Sequence, residues 1–181
     1  MRVRSTIEIL GTTRIVIGNA GAEDAEELLE YLDRVHRQTE FLKRKPEELD
    51  LSLEDEKEFI REMNESPHKF YVVARDNDKI VGCLSFISST YQRYKHQGEL
   101  RMSVDKSHWG KGIGSSLIKF LIDWGENNKL KRIELRVDAH NVRAINLYRK
   151  FGFREEGRLK KRRKMGPGDY HDELVMAYIY R

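Results

Sequence analysis

The sequence is poor in cysteine, proline and tryptophan, with one, three and two of them in 181 residues. A single cysteine, Cys83, excludes an intramolecular disulfide and a cysteine-based zinc site. No apolar run approaches the roughly 18 residues that cross a bilayer, and the basic start Met1–Arg4 leads into no hydrophobic signal segment. We therefore expect a cytoplasmic protein with no membrane partner, and no cluster of residues suggests a bound metal.

A strong excess of one charge is also missing, because 34 basic and 30 acidic residues leave a formal net charge of +4. This mild excess permits anionic ligands without requiring nucleic acid, which is not expected as a partner. The dense basic run Arg158–Lys164 favours a solvated hairpin face. Contact with an anionic cofactor, or with RNA or the ribosome, is the alternative for this run.

Length and composition suit one compact domain over residues 1–181 with a core over about 14–180, since 39% of residues are hydrophobic and 35% charged. Period-2 patterns predict strands at 14–18, 69–76, 79–88, 97–104, 132–138, 153–163 and 171–180. Period-3.6 patterns predict helices at 22–36, 53–64, 112–126 and 141–151.

The predicted class is therefore α/β or α+β, with a mixed, mostly antiparallel sheet of about seven strands and about four helices on both faces. The unit from 97 to 138 runs strand, helix, strand, so its two strands should lie parallel. Ser52 followed by Asp55 resembles a capping box that opens the second helix.

Three alternating glycines, Gly110, Gly112 and Gly114, separate a predicted strand from a predicted helix. Without Cβ atoms the backbone can lie against a ligand, and the helix start adds N–H groups and a positive dipole end. Lys111 adds a cation, and Ser115 adds a hydroxyl donor. The pattern predicts a phosphate or pyrophosphate cradle, although its spacing matches neither a Walker loop nor a dinucleotide fingerprint. A tight turn that needs glycine only sterically is the alternative.

The second informative stretch, at 141–153, reads N-V-R-A-I-N-L-Y-R-K-F-G-F. Together the two stretches resemble the GNAT superfamily of acyl-coenzyme A N-acyltransferases. Gly112 and Gly114 take the glycine positions of its (Arg/Gln)-x-x-Gly-x-(Gly/Ala) signature. Residues 141–153 are similar almost residue for residue to its second signature, Asn-x-x-Ala-x-x-(Leu/Phe)-Tyr-x-(Lys/Arg)-x-Gly-Phe. Trp109 replaces the usual Arg or Gln, as in the branch with ribosomal-protein, amino-acid and polyamine acetyltransferases.

The resemblance implies acetyl-CoA as cosubstrate and a GNAT-like sheet whose strands at 97–104 and 132–138 splay apart. It implies that the backbone of Met102, Ser103 and Val104 pairs with the pantetheine arm, and that an amide near Val104 polarises the thioester carbonyl. The other implied coenzyme contacts are Trp109, Gly110, Lys111, Gly112, Ile113, Gly114, Ser115, Asn141, Ala144, Asn146 and Tyr148. Asn141 could also cap the helix that follows it.

The resemblance also implies that Tyr148 lies beside the thioester sulfur, where a phenol can act as general acid toward the leaving thiolate. A core aromatic is the alternative for Tyr148. The general base is open, with Glu99 as the candidate and His96 as another. Because Cys83 is typical of a core cysteine, we expect direct transfer in a ternary complex rather than an acyl-enzyme.

The predicted function is therefore transfer of an acetyl group from acetyl-CoA to a primary amine. The acceptor, a small molecule or a peptide, cannot be read from the sequence. The segment from Thr39 to Tyr91 should line its site, with Glu40, Glu56 and Glu58 as further candidate contacts. A homodimer formed through a sheet edge is left open. The competing interpretation is a non-catalytic coenzyme A-binding module, or a basic module associated with RNA or the ribosome.

Overall fold

A computed structural model describes residues 5–10 and 13–181, so the basic start Met1–Arg4 lies outside the described residues. The described strands are β1 (Thr6–Leu10), β2 (Thr13–Asn19), β3 (Lys69–Asp76), β4 (Lys79–Ser88), β5 (Gln97–Val104), β6 (Arg132–Asp138), β7 (Arg154–Gly166) and β8 (Asp169–Ile179). The helices are α1 (Ala25–Gln38), α2 (Leu53–Glu65), α3 (Ile113–Asn127) and α4 (Val142–Lys150). None of these helices is long and apolar enough to span a membrane.

The strands follow one another in the sheet in the order β1-β2-β3-β4-β5-β6-β8-β7. Neighbouring strands are mostly antiparallel, and β5 and β6 are parallel. The predicted mixed, mostly antiparallel class with four helices is confirmed, with eight strands among the described residues rather than about seven.

The additional strand is β1, which pairs antiparallel with β2 from Thr6↔Ile17 to Leu10↔Thr13. The isoleucines of β1 would be expected to face the core, but Ile7 and Ile9 are 54% and 66% exposed while their neighbours are half-buried. Residues 6–9 do alternate between polar and apolar side chains, so the sequence contains a strand signal, but the strand is only five residues long and its isoleucines face away from the core.

Contacts divide the chain into two compact units, and the first comprises Met1–Ile87 and Arg101–Ile118. Its core lies where α1 packs on α2 and α2 packs on β3, and its buried residues include Leu28, Tyr31, Ile60, Met63 and Tyr71. The start of α1 lies at Ala25 rather than at residue 22, because residues Ala22–Asp24 form a short 3-10 turn.

The capping box predicted for α2 is confirmed. The Asp55 amide donates to Ser52 Oγ at 3.1 Å, and the Ser52 amide donates to Asp55 Oδ2 at 3.3 Å. This reciprocal pair satisfies two amides that a helix start would otherwise leave without partners.

The second unit comprises Ser88–Leu100 and Lys119–Arg181. There β6 pairs antiparallel with β8, and β7 and β8 form a long hairpin. The parallel ladder joins Gln97–Glu99 to Arg132–Glu134, which confirms the predicted direction. Among the described residues the register contains no β5–β6 pair beyond Glu99 and Glu134, although the strands extend to Val104 and Asp138.

Candidate active site

The glycine turn between β5 and α3 has a steric requirement for two of its three glycines. Gly110 and Gly112 have φ angles of 80° and 90°, a left-handed backbone that side chains rarely tolerate. A Cβ at Gly112 would also lie 3.3 Å from a methyl carbon of Leu10. Gly114 lies instead in the first turn of α3. Gly110 and Gly112 are therefore required for steric reasons. Their lack of side chains also leaves the backbone of the turn uncovered.

The start of α3 presents its amides toward this turn. The first helical hydrogen bond runs from the Ser116 amide to the Gly112 carbonyl at 3.0 Å. The amides of Ile113, Gly114 and Ser115 precede it, so helix geometry offers them no intrahelical acceptor. Together with the positive end of the helix dipole, this arrangement suits a phosphate or pyrophosphate oxygen. Exposed Lys111 adds a positive charge at the same turn.

A buried carboxylate fixes the segment that leads into the turn. Asp105 accepts hydrogen bonds from Arg34 Nε at 2.7 Å, from Gln38 Nε2 at 3.3 Å and from the Ser107 amide at 2.9 Å. The Asp105 amide donates to the Val81 carbonyl at 2.9 Å. Burial raises the pKa of Asp105, but the Arg34 and Ser107 hydrogen bonds outweigh it and hold that pKa at about 2.

Sequence analysis missed this anchoring role. The local signal was an acidic residue two positions before a serine, a pattern typical of an Asx turn. Arg34 and Gln38 come from α1, about 70 residues earlier in the chain, and no local pattern reveals such partners.

Trp109, which replaces the Arg or Gln of the family signature, also fixes the turn. Its indole N–H donates to the Val104 carbonyl at 2.8 Å, and Lys106 Nζ lies 5.9 Å from the ring centroid. The side chain at this position therefore connects the turn to the last residue of β5. At this position an indole hydrogen bond stabilises the turn, where the family signature usually has the side chain of Arg or Gln.

The β5 segment Met102–Val104 is half-buried, and the side chain of Ser103 faces the core of the first unit. Ser103 Oγ lies 2.9 Å from Tyr31 Oη and 3.4 Å from Cys83 Sγ. Burial raises the pKa of the Cys83 thiol, which opposes formation of a thiolate nucleophile. The prediction that Cys83 is a core residue agrees with this environment.

In the second unit the Asn-to-Phe signature corresponds to one complete helix with both of its caps. Asn141 Oδ1 accepts from the Ala144 amide at 3.1 Å at the start of α4. Gly152, with φ of 91°, ends the helix, and the Phe153 amide returns to the Tyr148 carbonyl at 3.1 Å. The capping role weighed for Asn141 is therefore present. Ala144 is half-buried beside it, whereas Asn146 is exposed.

Tyr148 is buried on α4, with its ring centroid 5.7 Å from that of Phe153. Burial raises the pKa of Tyr148 to about 12. The phenol therefore keeps its proton at neutral pH and is a hydrogen-bond donor there. Of the two base candidates, Glu99 is half-buried on β5 in register with Glu134, and His96 is exposed. Glu99, Asn141 and Tyr148 belong to the second unit, whereas residues 102–115 belong to the first.

Comparison with known proteins identifies the family of the chain. The model of the acetyltransferase (GNAT) family matches residues 26–153, which include both signatures. The chain belongs to this family. It is an acetyl-CoA-dependent N-acetyltransferase, as the signatures predicted.

Relatives of this GNAT acetyltransferase carry several names. The chain is 33% identical over 112 residues to the L-amino acid N-acetyltransferase AaaT of Escherichia coli, covering 61% of this chain and 68% of the relative. It is 38% identical over 78 residues to a spermine/spermidine N(1)-acetyltransferase of Bacillus subtilis, covering 42% and 45%. A GNAT-family acetyltransferase from Streptococcus pneumoniae superposes with a TM-score of 0.87 at 29% identity, covering 92% and 99% of the two chains.

The basic run of this acetyltransferase lies on β7, and its three arginines pair with acidic side chains of β8 and β6. Arg158 Nε donates to Asp172 at 2.7 Å, and Arg162 lies 3.8 Å from Glu173. Arg163 Nη1 donates to Asp138 at 2.9 Å. These pairs support the interpretation of the run as a hairpin face.

Asp138, at the end of β6, also lies close to two histidines. Its carboxylate accepts from the His140 amide at 2.9 Å and lies 2.8 Å from His171 Nδ1. Although burial opposes it, these contacts and Arg163 hold the pKa of Asp138 below its usual range. The three possible ligand atoms of Asp138, His140 and His171 lie within 4.8 Å of one another. Arg163 Nη1 and His171 Nδ1 both contact Oδ2 of Asp138, and the His140 amide donates to Oδ1, so the carboxylate anchors the turn before Asn141.

Proposed function

We propose that residues 1–181 act as a single catalytic domain in which a primary amine attacks acetyl-CoA directly, within a ternary complex. The observation that supports this most is the glycine turn. Two left-handed glycines lead into the start of α3, where the amides of Ile113, Gly114 and Ser115 have no intrahelical acceptor. Such a surface suits the pyrophosphate of coenzyme A, and Asp105 and Trp109 hold it in place.

The other coenzyme contacts are proposed by the same logic. The main chain of Met102–Val104 would pair with the pantetheine amides as an added strand, and an amide near Val104 would stabilise charge on the thioester oxygen. Asn141, while capping α4, has an amide nitrogen left to donate to the coenzyme. Asn146 and Ala144 would contact it from α4.

Tyr148 would interact with the leaving sulfur. A phenol with a pKa of about 12 is a much weaker acid than a thiol with a pKa of about 8.5. Complete proton transfer from Tyr148 to the thiolate is therefore uphill, and stabilisation of the sulfur by a donated hydrogen bond is the larger part of its role. Glu99 remains our candidate for the base that receives the proton of the amine.

Initial rates test the proposed mechanism. Thiol release is measured over a grid of acetyl-CoA and amine concentrations, using an acceptor panel. Intersecting double-reciprocal lines are expected for a ternary complex, and Cys83→Ala is expected to keep most of the turnover. Parallel lines, together with an acetylated Cys83 in intact-mass spectra, would establish an acyl-enzyme instead.

The acceptor is proposed only as an amine, since relatives are named for amino acids and for polyamines. The pairing of the three arginines of the basic run with acidic side chains of β8 and β6 reduces the charge available to RNA, so we do not favour the binding-module alternative. The homodimer and the cytoplasmic location stay predictions.

A further inference from the structure

The side chain of Glu56 is a buried carboxylate whose charge is not balanced. It is 4% exposed, and its Oε1 has no hydrogen-bond partner among residues 5–10 and 13–181. A carboxylate oxygen that is buried without a partner is destabilising, so natural proteins rarely retain one without a use. Burial raises the pKa of Glu56, and no described cation acts to lower it.

Glu56 takes a position on α2 where the helix otherwise buries apolar residues. The buried face of α2 consists of Glu56, Ile60 and Met63, spaced by four and three residues. Ile60 and Met63 belong to the core of the first unit, and an apolar residue at position 56 would continue the same stripe. The first turn of a helix stabilises negative charge, so the position is suited to a carboxylate that becomes ionised.

The aromatic rings of Phe59 and Tyr71 lie near the Glu56 carboxylate. Phe59 lies three residues after Glu56 and therefore on the same side of α2. Its ring centroid is 5.6 Å from that of Tyr71 at an angle of 70°, and Tyr71 interacts electrostatically with Glu56. Phe59 is 38% exposed, so the ring pair reaches the surface. A carboxylate beside aromatic rings is a favourable environment for an ammonium ion.

Core packing connects this place to β5. Tyr71 and Cys83 lie on the same face of the β3–β4 pair as diagonal neighbours, because Val73 is in register with Cys83, and Cys83 Sγ lies 3.4 Å from Ser103 Oγ. Cys83 is therefore a neighbour of both Tyr71 and Ser103, and Ser103 belongs to the segment proposed to hold the pantetheine arm. A short alkyl chain could therefore join an ammonium group bound at Glu56 to a second amine near that segment.

We propose that Glu56, with Phe59 and Tyr71, binds one ammonium group of the acceptor while a second amine of the same molecule attacks the thioester. The proposal rests on the proposed acetyl transfer to an amine. It identifies the acceptor class as diamines and polyamines. Amino acids are excluded as preferred acceptors, because Glu56 would repel their carboxylate.

Matched acceptors test the proposal on the full chain. Putrescine and n-butylamine differ by one terminal amine, and L-alanine adds a carboxylate. We expect kcat/KM for putrescine to exceed that for n-butylamine by about 100-fold, since breaking a buried charge pair typically costs two or more powers of ten. Glu56→Gln is expected to reduce this preference to below about tenfold, leaving the rate with n-butylamine and the KM for acetyl-CoA unchanged.

Glu30→Gln is the matched control, because Glu30 is an exposed glutamate of α1 that lies outside the segment Thr39–Tyr91. It is expected to keep the full diamine preference. Calorimetry with spermidine alone adds a readout that does not need turnover. Binding should strengthen as pH rises through the pKa of Glu56 while the amines stay protonated, and this dependence should disappear in Glu56→Gln.

The possible failures can be distinguished. If no amine releases thiol and coenzyme A does not bind, the proposed acetyl transfer is wrong. If n-butylamine or L-alanine is acetylated as well as putrescine, or if Glu56→Gln keeps the diamine preference and the binding of spermidine, acetyl transfer stands and the Glu56 site is overturned.

Discussion

At the scale of single residues, Tyr148 has the best-defined chemical role. Its substitution by Phe removes the hydroxyl and keeps the ring that packs on Phe153. We expect Tyr148→Phe to lower kcat by about 100-fold, the usual size of an acid–base or hydrogen-bond contribution to the leaving group. The KM for acetyl-CoA should change by less than about threefold. Steady-state rates of thiol release measure both quantities.

The control for this variant is Tyr170→Phe, since Tyr170 is an exposed tyrosine on β8. It should leave both constants unchanged. An unaltered kcat in Tyr148→Phe would assign Tyr148 to the core of the second unit, which was the alternative interpretation of its sequence position.

The roles of residues whose partners lie far away in the sequence could not be predicted from the sequence. The signatures placed Gly112, Asn141 and Tyr148 on the correct elements, because each depends on a turn or cap within a few residues. Asp105 and Glu56 depend instead on what the fold brings to them. The partners of Asp105 lie on α1, and the significance of Glu56 comes from the burial of a carboxylate that its neighbours in sequence do not explain.

At the scale of secondary-structure elements, Asn141 has two roles to be separated: it caps α4, and it is proposed to contact the coenzyme. Serine caps a helix about as well as asparagine, whereas alanine costs about 1 kcal/mol. We therefore expect Asn141→Ser to change the free energy of unfolding by less than about 0.5 kcal/mol, and Asn141→Ala to lower it by about 1 kcal/mol. Urea denaturation measures both variants.

The same pair separates the cap from the coenzyme contact. Both variants lack the amide nitrogen, so both should raise the KM for acetyl-CoA by about tenfold if Asn141 donates one hydrogen bond to it. A KM that rises only in Asn141→Ala would mean that Asn141 acts through the stability of α4 alone.

Elements with strong periodicity or local caps were predicted well. The capping box of Ser52 and Asp55 marks the start of α2, as predicted. The ends of β5 and β6 also agree with the predicted segments. The main errors concern β1, the start of α1, where Ala22–Asp24 form a 3-10 turn, and the last hairpin, whose strands end at Gly166 and begin at Asp169 rather than at 163 and 171. The sequence of β1 favours a strand, but the segment is only five residues long and its isoleucines face outward.

At the scale of the whole molecule, acid should reduce stability through buried carboxylates in each unit. The folded-state pKa of Asp105 is about 2, below the value of about 3.9 in an unfolded chain. Its contribution is therefore fully present well above pH 4 and is lost as pH falls toward 2. The difference corresponds to about 2.6 kcal/mol, of which about half should be gone near pH 3.

Urea unfolding of the wild type and of Asp105→Asn between pH 7 and pH 3 measures this contribution. The difference in unfolding free energy between the two proteins should be about 2.6 kcal/mol at pH 7 and should shrink toward pH 3. A difference that stays constant across this range would show that the variant removes packing rather than a favourable ionisation. Asp138, whose pKa is also lowered, should titrate in both proteins and cancel in the comparison.

The indole of Trp109 has a practical consequence. The chain has two tryptophans, and the other, Trp124, is buried in α3. A ligand that settles on the glycine turn would alter the surroundings of Trp109 while leaving Trp124 as an internal standard. Biosynthetic incorporation of 5-fluorotryptophan would thus give a spectrum of two fluorine resonances, one of which reports occupancy of the turn without any attached dye.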